Sequence, residues 1–471
     1  RLRSRGLGDV YKRQMYAYGT LNYLEYSRTI FFLGDMASET MTTKSDASAD
    51  NQDLNNWKVG NFKTNGSLEN FFKYAFIGVN RANAVIKKVP DAGFSQEQKD
   101  LFLGEAYFLR AWNYFNLVRN FGLVPLHKSV VETVDQTSTA LAPDMDAMYD
   151  LILSDCRRAA ELLPVYETPK IGRADRVAAQ ALAAKAYLYV ASAKEHGVKL
   201  YRDMYRDATV MYDSAAYFAG EVIEKQSVYG FENSLLDIYD VEKARGKEHI
   251  FIMAMDRSGS SEGQYSKISK MFIPYIDGAT LYLKQGDKDE YIPTHDGWGE
   301  YQTTVAFYNT FDASDKRKTE LIVDKVYKAD GTLLGEYPGK IPYPFCRKYI
   351  DPKFEGDKTS TRPFLLRFSD VALIYAEAAG PTAKAYELVN FIRSRAGLGD
   401  MKPNLGKDEF RREILKERTF ELAFEGDHVY DLRRWNRITT DVPEAAGLSE
   451  DQVTFYPIPQ AEINLNGSLR P

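Results

Sequence analysis

Cysteine is scarce in this chain: there are two, Cys156 and Cys346, far apart and without CxxC spacing. A disulfide framework and a thiolate zinc site are therefore not indicated. Histidine is nearly as rare, five in all, with no HExxH and no clustered spacing, and no phosphate-binding glycine loop occurs. Metal hydrolysis and nucleotide chemistry thus lack their usual donors, and no cofactor or metal is expected. Apolar runs are short, and none reaches the roughly 18 residues that a membrane-crossing helix needs. Positive charge is not in excess either: the formal net charge is -5, and no basic patch interleaved with aromatics is seen. Nucleic acid and anionic membrane are poor candidates for the main partner.

What is present suits a folded protein with a sizeable core, since 44% of the 471 residues are hydrophobic. That length fits one large domain or two to three ordinary ones. Tyrosine dominates the aromatics, with 32 Tyr and 26 Phe against only 4 Trp. Its ring packs like a hydrocarbon and its hydroxyl still finds a polar partner, which serves half-buried helices and ligand surfaces alike.

Helical periodicity organises most of the chain. Met15–Leu33 is helical in tendency, and Ala37–Asn56 is a long polar loop that leads to Trp57 and Asn61. Further helices are expected over 67–89, 96–121, 145–163, 177–194 and 213–225. AKAYLYVASA echoes EAYFLRAW, so the expected fold class is mainly α: a tetratricopeptide-like helix-pair repeat scaffold of irregular period. Small residues at Ala106 and Ala111 allow close helix approach, and Tyr107, Trp112, Tyr114 and Phe115 read as core. From 229 to 362 the periodicity fails. Short strand-like runs such as HIFIMAM, and hairpin chemistry in YKADGTLLGEYPG, mark an irregular insertion on the frame.

Asp408–Trp435 is the most charged helical stretch. Asp408 reads as its N-cap and Gly426 as its stop. Glu417, Glu421, Glu425 and Arg418 share one arc with Phe410 and Ile414, so several acids face the core together. They need cations; Arg433, Arg434, Arg393 and Arg395 are the nearest in sequence.

Two catalytic patterns are too weak to carry an enzyme. Gly259-Ser260-Ser261-Glu262-Gly263 fits G-x-S-x-G, yet an acid and then a histidine must follow within a parallel sheet; only His295 and His428 follow, without any βαβ succession. Asp287, Asp289, Glu290, Asp296 and Glu300 could pair as glycosidase carboxylates, but they lie in an exposed-looking segment. The same segment, YIPTHDGWGEY, reads better as a binding surface. Tyr291, Trp298 and Tyr301 offer rings for the C–H face of a sugar, Asp296 takes its hydroxyls, and Gly297 and Gly299 permit close approach of the ligand. Trp57 with Asn61 forms a second candidate platform. Each of these aromatics has packing as its alternative role.

ER-x-x-EL-x-x-EG followed by DLRRW (417–435) resembles the C-terminal signature of SusD/RagB-like proteins, the surface glycan-binding lipoproteins of nutrient-uptake systems. EAYFLRAWNYF with the following Gly-x-VPL, RPFLLRFSDVALIYAEAA, and the closing FYPIPQAEINLNGSL resemble other family segments in the same order. Asn83 matches a family asparagine and reads as structural. The resemblance implies a non-enzymatic protein, lipid-anchored on the extracellular face of the outer membrane. It would bind oligo- or polysaccharide and pass it to a SusC-like TonB-dependent transporter. It also implies one SusD-like domain over 15–471, with scaffold over about 15–228 and 363–437 and ligand recognition in 229–362. A cytoplasmic helical-repeat adaptor for peptides, lacking an exposed Trp, is the principal alternative; a glycoside hydrolase is the other.

The first fourteen residues, RLRSRGLGDVYKRQ, resemble translated sequencing-adapter sequence and are set aside from the fold reading. Without Arg1, Arg3, Arg5, Lys12, Arg13 and Asp9 the formal charge moves from -5 to -9. On that reading the native chain continues upstream of Met15, where the family's signal and acylated cysteine would lie.

Overall fold

Helix starts in this protein are built by small polar side chains. Asn65, Ser95, Asp144, Asp175 and Thr382 each accept a hydrogen bond from the backbone N–H three residues on, satisfying a donor the first helical turn leaves unpaired. The structure, a computed structural model, describes residues 2–225, 227–243 and 246–470. Helix α1 (Leu2–Gly19) lies against α2 (Gly66–Lys88), which pairs with α3 (Gln96–Phe121). Next come α4 (Met145–Leu162), α5 (Arg176–Glu195) and α6 (Ala208–Lys225), each packed on the one before. Helix α7 (Phe368–Ala379) follows the insertion in sequence yet packs directly on α6, and α8 (Ala383–Arg395) and α9 (Lys407–Glu421) extend the stack. The helix-pair frame is therefore continuous in space across its interruption in sequence. Alanine-rich α5 is buried from Val177 to Ala193, as expected of a helix packed on all sides.

Phe108, Trp112, Tyr114 and Phe115 are core residues, and Tyr107 is half-buried. Trp112 meets Phe251 of the insertion edge-on at 5.8 Å. Asn83 is structural as expected: its amide donates to the carbonyls of His127 and Ser129 at 2.9 and 3.1 Å, and its oxygen accepts from Arg110 at 3.0 Å.

The long polar loop is more ordered than its composition suggests. It holds strand β1 (Met41–Thr43) and a short helix, Ala49–Asn55, capped by Ser48. Within the insertion, β2 (His249–Ile252) pairs antiparallel with the returning strand Phe364–Arg367, so the two ends of the insertion are clasped together. Strands β3 (Thr280–Lys284), β4 (Tyr291–His295), β5 (Tyr301–Thr303), β6 (Ile322–Val323), β7 (Lys325–Tyr327) and β8 (Leu333–Glu336) lie between. A four-stranded antiparallel sheet runs β4-β3-β7-β8 over a small core of Leu281, Leu283, Val326, Ile341 and Phe345. Strand β5 leaves that sheet to pair with β1, Met41 opposite Thr303, which ties the insertion to the N-terminal loop.

The charged stretch departs from its expected form. Gly406, not Asp408, is the N-cap of α9, with Asp408 in the first turn, and the helix stops at Glu421. Phe424 and Gly426 take positive φ of 67° and 82° in the turn that follows. Two of the four proposed cations reach the glutamates: Arg393 meets Glu417 at 3.1 Å and Arg395 meets Glu421 at 2.8 Å. The others do not. Arg434 binds Glu377 and Asp431, and Arg433 donates to the carbonyl of Arg119. The remaining partners come from the insertion and its end: Arg317 on Glu417 at 2.6 Å, and Lys348 and Arg367 on Glu425 at 2.9 and 2.8 Å. Glu248 joins through Arg367 and Arg395, and despite complete burial the two guanidiniums hold its carboxyl down at about 2. The network bolts the insertion onto the frame.

Candidate functional site

Residues 296–299 lie against 270–278, and the hydrogen bonds between the two segments make the site. The amides of Gly297, Trp298 and Gly299 donate to the carbonyls of Pro274, Lys270 and Ile273 at 2.9, 2.7 and 2.9 Å. Asp296 is buried, and its carboxylate accepts from the amides of Ile276 and Gly278 at 2.9 and 2.8 Å. The two loops are thereby locked, and each presents a ring to solvent: Trp298 is 37% and Tyr275 67% exposed. Lys267 places its ammonium 5.6 Å from the Trp298 ring centroid. Burial beside Lys270 pushes the His295 imidazole below its ordinary range, so it stays neutral between the Ser269 hydroxyl and the Asp296 carbonyl.

Glu300, two residues beyond Trp298, lines a polar cleft of about 200 Å³ together with Arg28, Asn51, Ser67, Asn70 and Met271. Its wall is already tied by side chains. Arg28 pairs with Glu262, Lys44 stands 3.7 Å from Glu300, and the Ser67 hydroxyl donates to Asn51 at 3.0 Å. The cleft offers guanidinium, amide, hydroxyl and carboxylate groups to the hydroxyls of a sugar, and the exposed Trp298 ring, two residues from Glu300, offers a surface for its apolar face. Among the described residues no group of His, Cys, Asp and Glu is arranged to hold a metal ion.

Several sequence-nominated residues are placed elsewhere. Trp57 is sealed, 3% exposed: its indole N–H donates to the Ala37 carbonyl at 3.0 Å and its ring stacks on Tyr456 at 6.2 Å. Its proposed platform is thus corrected to a core contact, covered by the C-terminal segment. Asn61 is exposed, donates to Asp53 at 3.0 Å, and does not line the cleft. Tyr301 is 1% exposed, wedged between Phe31, Phe32 and Phe272, with its hydroxyl on the Arg28 carbonyl. It supports the cleft floor and offers no open face. Asp296 is corrected from a ligand-binding carboxylate to a positioning one, because backbone amides occupy it. Tyr291 packs edge-on against Tyr327 at the far end of β4, about 14 Å from His295 at the rise of an extended strand. Of the six, Trp298 alone is an exposed aromatic, two residues along the chain from Glu300 of the cleft.

Gly297 and Gly299 serve a different approach from the one expected. A Cβ on Gly297 would lie 2.0 Å from the Ile273 carbonyl oxygen, so it is the neighbouring backbone, not a ligand, that requires glycine here. The G-x-S-x-G run is a tight turn in which the Ser260 hydroxyl donates to Gln264 at 2.8 Å. Asp287 and Glu290 line a separate cleft of about 530 Å³ with Arg347, away from Glu300. Reasoning from sequence missed Tyr275, Arg28, Asn51 and Asn70. Tyr275 alone carried a signal, an aromatic inside the turn-forming run IPYIDG.

A family model described as the SusD family matches residues 327–453, and a second, described as starch-binding and associating with outer membrane, matches residues 14–188. The chain belongs to the SusD/RagB family. Among relatives of this SusD-like chain is SusD-like protein P2 of Formosa agariphila, 26% identical, with the alignment covering 94% of this chain and 86% of that one. A SusD-like protein of Bacteroides ovatus is 24% identical over 77% of this chain and 64% of its own. A laminarin binding SusD-like protein superposes with a TM-score of 0.78 at 25% identity, covering 98% of this chain and 97% of that one. Surface glycan-binding protein A from Bacteroides thetaiotaomicron, in complex with laminarihexaose, shares the fold with a TM-score of 0.75 at 20% identity, over 98% of both chains. The mainly helical, tetratricopeptide-like architecture is the family's own.

Proposed function

We propose that this protein is a non-catalytic, surface glycan-binding protein that captures oligosaccharide at Trp298 and Tyr275 and delivers it to a SusC-like TonB-dependent transporter in the outer membrane. The observation that carries the reading is a pair of exposed rings on two backbone-bonded segments, one of which also supplies Glu300 to a cleft of hydrogen-bonding side chains. A pyranose stacks its C–H face on Trp298 or Tyr275 while Arg28, Asn51, Asn70 and Glu300 serve its hydroxyls. Because backbone bonds and Asp296 already order the rings, little conformational entropy is lost on binding. The family description of starch binding at the outer membrane supports place and ligand class, and the likeness to a laminarin binding protein makes laminarin the first ligand to try. In this reading 15–471 act as one domain in which 229–362 supplies the exposed rings and Glu300, while residues 24–70 supply most of the cleft wall. Among the described residues no helix is long and apolar enough to cross a membrane; an N-terminal lipid is proposed for attachment.

The exposure of Trp298 speaks against a peptide-binding helical adaptor, which calls for no open tryptophan. Native affinity electrophoresis in laminarin, xylan, mannan and starch gels tests the proposal. Retardation of the wild type in one polymer, reduced by Trp298→Ala and Tyr275→Ala, is the expected result. Release of reducing ends from that polymer by the purified protein would replace binding with hydrolysis.

A further inference from the structure

We propose that the glycan surface extends beyond the Trp298 cleft along the exposed stripe of α2 to a second aromatic station made by Tyr23, Tyr74 and Arg81, so that the protein recognises an extended oligosaccharide and not a short one. This rests on the glycan reading above. The stripe runs at helical spacing through Ser67, Asn70, Tyr74, Ile77 and Arg81, all partly exposed. Its first two residues line the cleft, and its last lies about 16 Å beyond Asn70 at the rise of an α-helix. Tyr23 and Tyr74 meet edge-on at 5.0 Å. The Arg81 guanidinium sits 5.8 Å from the ring centroids of both Tyr23 and Tyr16, anchored by donation to the Tyr16 carbonyl at 2.7 Å and the Thr20 hydroxyl at 3.1 Å.

Continuity decides the occupant. Tyr23 directly precedes Leu24, which lines the cleft with Arg28, and Tyr74 lies one turn of α2 beyond Asn70, which also lines it. A linear saccharide leaving the cleft along the helix therefore meets these rings next. Tyr23 is 40% and Tyr16 60% exposed, and ring–ring and cation–π contacts hold the cluster in place without a ligand. Tyrosine rings of this kind bind through their faces at small entropic cost, so the station adds affinity only for chains long enough to reach it.

The experiment compares wild type, Tyr23→Ala/Tyr74→Ala, Tyr23→Phe/Tyr74→Phe and Trp298→Ala, first in native gels containing laminarin, xylan, mannan and starch. Titration calorimetry then uses purified oligosaccharides of increasing length from the retained polymer. The double alanine variant should bind the longest oligosaccharides about tenfold more weakly, a loss of about 1.4 kcal/mol. Affinity for the shortest bound oligosaccharide should not change, which also reports that the variant is folded, and the double phenylalanine variant should match wild type. If the double alanine variant matches wild type at every length while Trp298→Ala weakens all of them, the extension is wrong and the glycan reading stands. If no polymer retards the wild type, the glycan reading falls and the extension with it.

Discussion

The ring of Trp298 reaches solvent because the amides of three consecutive residues around it are held by a neighbouring loop. Trp298→Ala is expected to weaken binding of the glycan that retards the wild type about tenfold, the cost of losing one central aromatic contact. Because the side chain is partly exposed, it should lower unfolding stability by no more than about 1–2 kcal/mol; calorimetric titration with parallel urea unfolding reads both. Gly297 acts on the same function without touching a ligand. An added methyl would meet the Ile273 carbonyl at 2.0 Å, and backbone cannot yield as a flexible side chain can. Gly297→Ala is therefore expected to abolish retention and to make the 270–278 loop cleavable by trypsin at Lys270 in limited proteolysis. Wild-type retention by this variant would show that the loop pairing is dispensable.

Arg367 shows what is decided at the level of elements. It ends the strand that closes the insertion, and its guanidinium bonds Glu248 at 2.9 Å and Glu425 at 2.8 Å, all three buried. Its own ionisation rises well above the ordinary value despite a desolvation penalty, because Glu425, Tyr239, Glu421 and Glu248 surround it. Replacing one member of such a network leaves the others charged and unpaired. Arg367→Met should cost about 3–5 kcal/mol in urea unfolding, with the insertion losing amide-exchange protection before the helices α2–α5. A loss below about 1 kcal/mol would mean the carboxylates find other partners. The element-level lesson for sequence reading lies in α9: its repeating glutamates were visible, but their partners Arg317, Lys348 and Arg367 sit on a one-turn helix, a turn and a strand end, too short to carry a periodicity that reveals them.

Over the whole molecule, opposed titrations fix the pH of greatest stability. Glu248, held at about 2 by Arg395 and Arg367, adds stability that is present above the ordinary glutamate value near 4 and is lost as pH falls toward 2. Asp35 runs the other way. It is fully buried, with one oxygen accepting from the Gly426 amide and Glu425, Asp427 and His428 around it, and desolvation raises it to about 8. Folding thus favours its protonated form, and stability declines as pH rises from about 4 to about 8. His428, raised by its pairing with Glu39, contributes in the same sense: its stabilisation is present below its ordinary value and is lost as pH climbs through the raised one. Thermal unfolding should therefore peak between about pH 4 and 6, and Asp35→Asn should flatten the alkaline slope. An unchanged slope in that variant would show that another group carries it.

What the sequence determined by itself was local or patterned. Apolar spacing along α2 to α6, the structural role of Asn83 and the ordered family motifs all act within a few residues, so the frame and the family could be read without coordinates. Tertiary structure decided which aromatic faces water. Trp57 and Trp298 look equivalent in sequence, each a tryptophan in a polar, loop-forming stretch, yet Tyr456 from the far end of the chain covers one, while the other, on a segment hydrogen-bonded to 270–274, stays open to solvent. Exposure of a ring is set by whatever long-range segment packs on it, and that information lies outside any window around the ring itself.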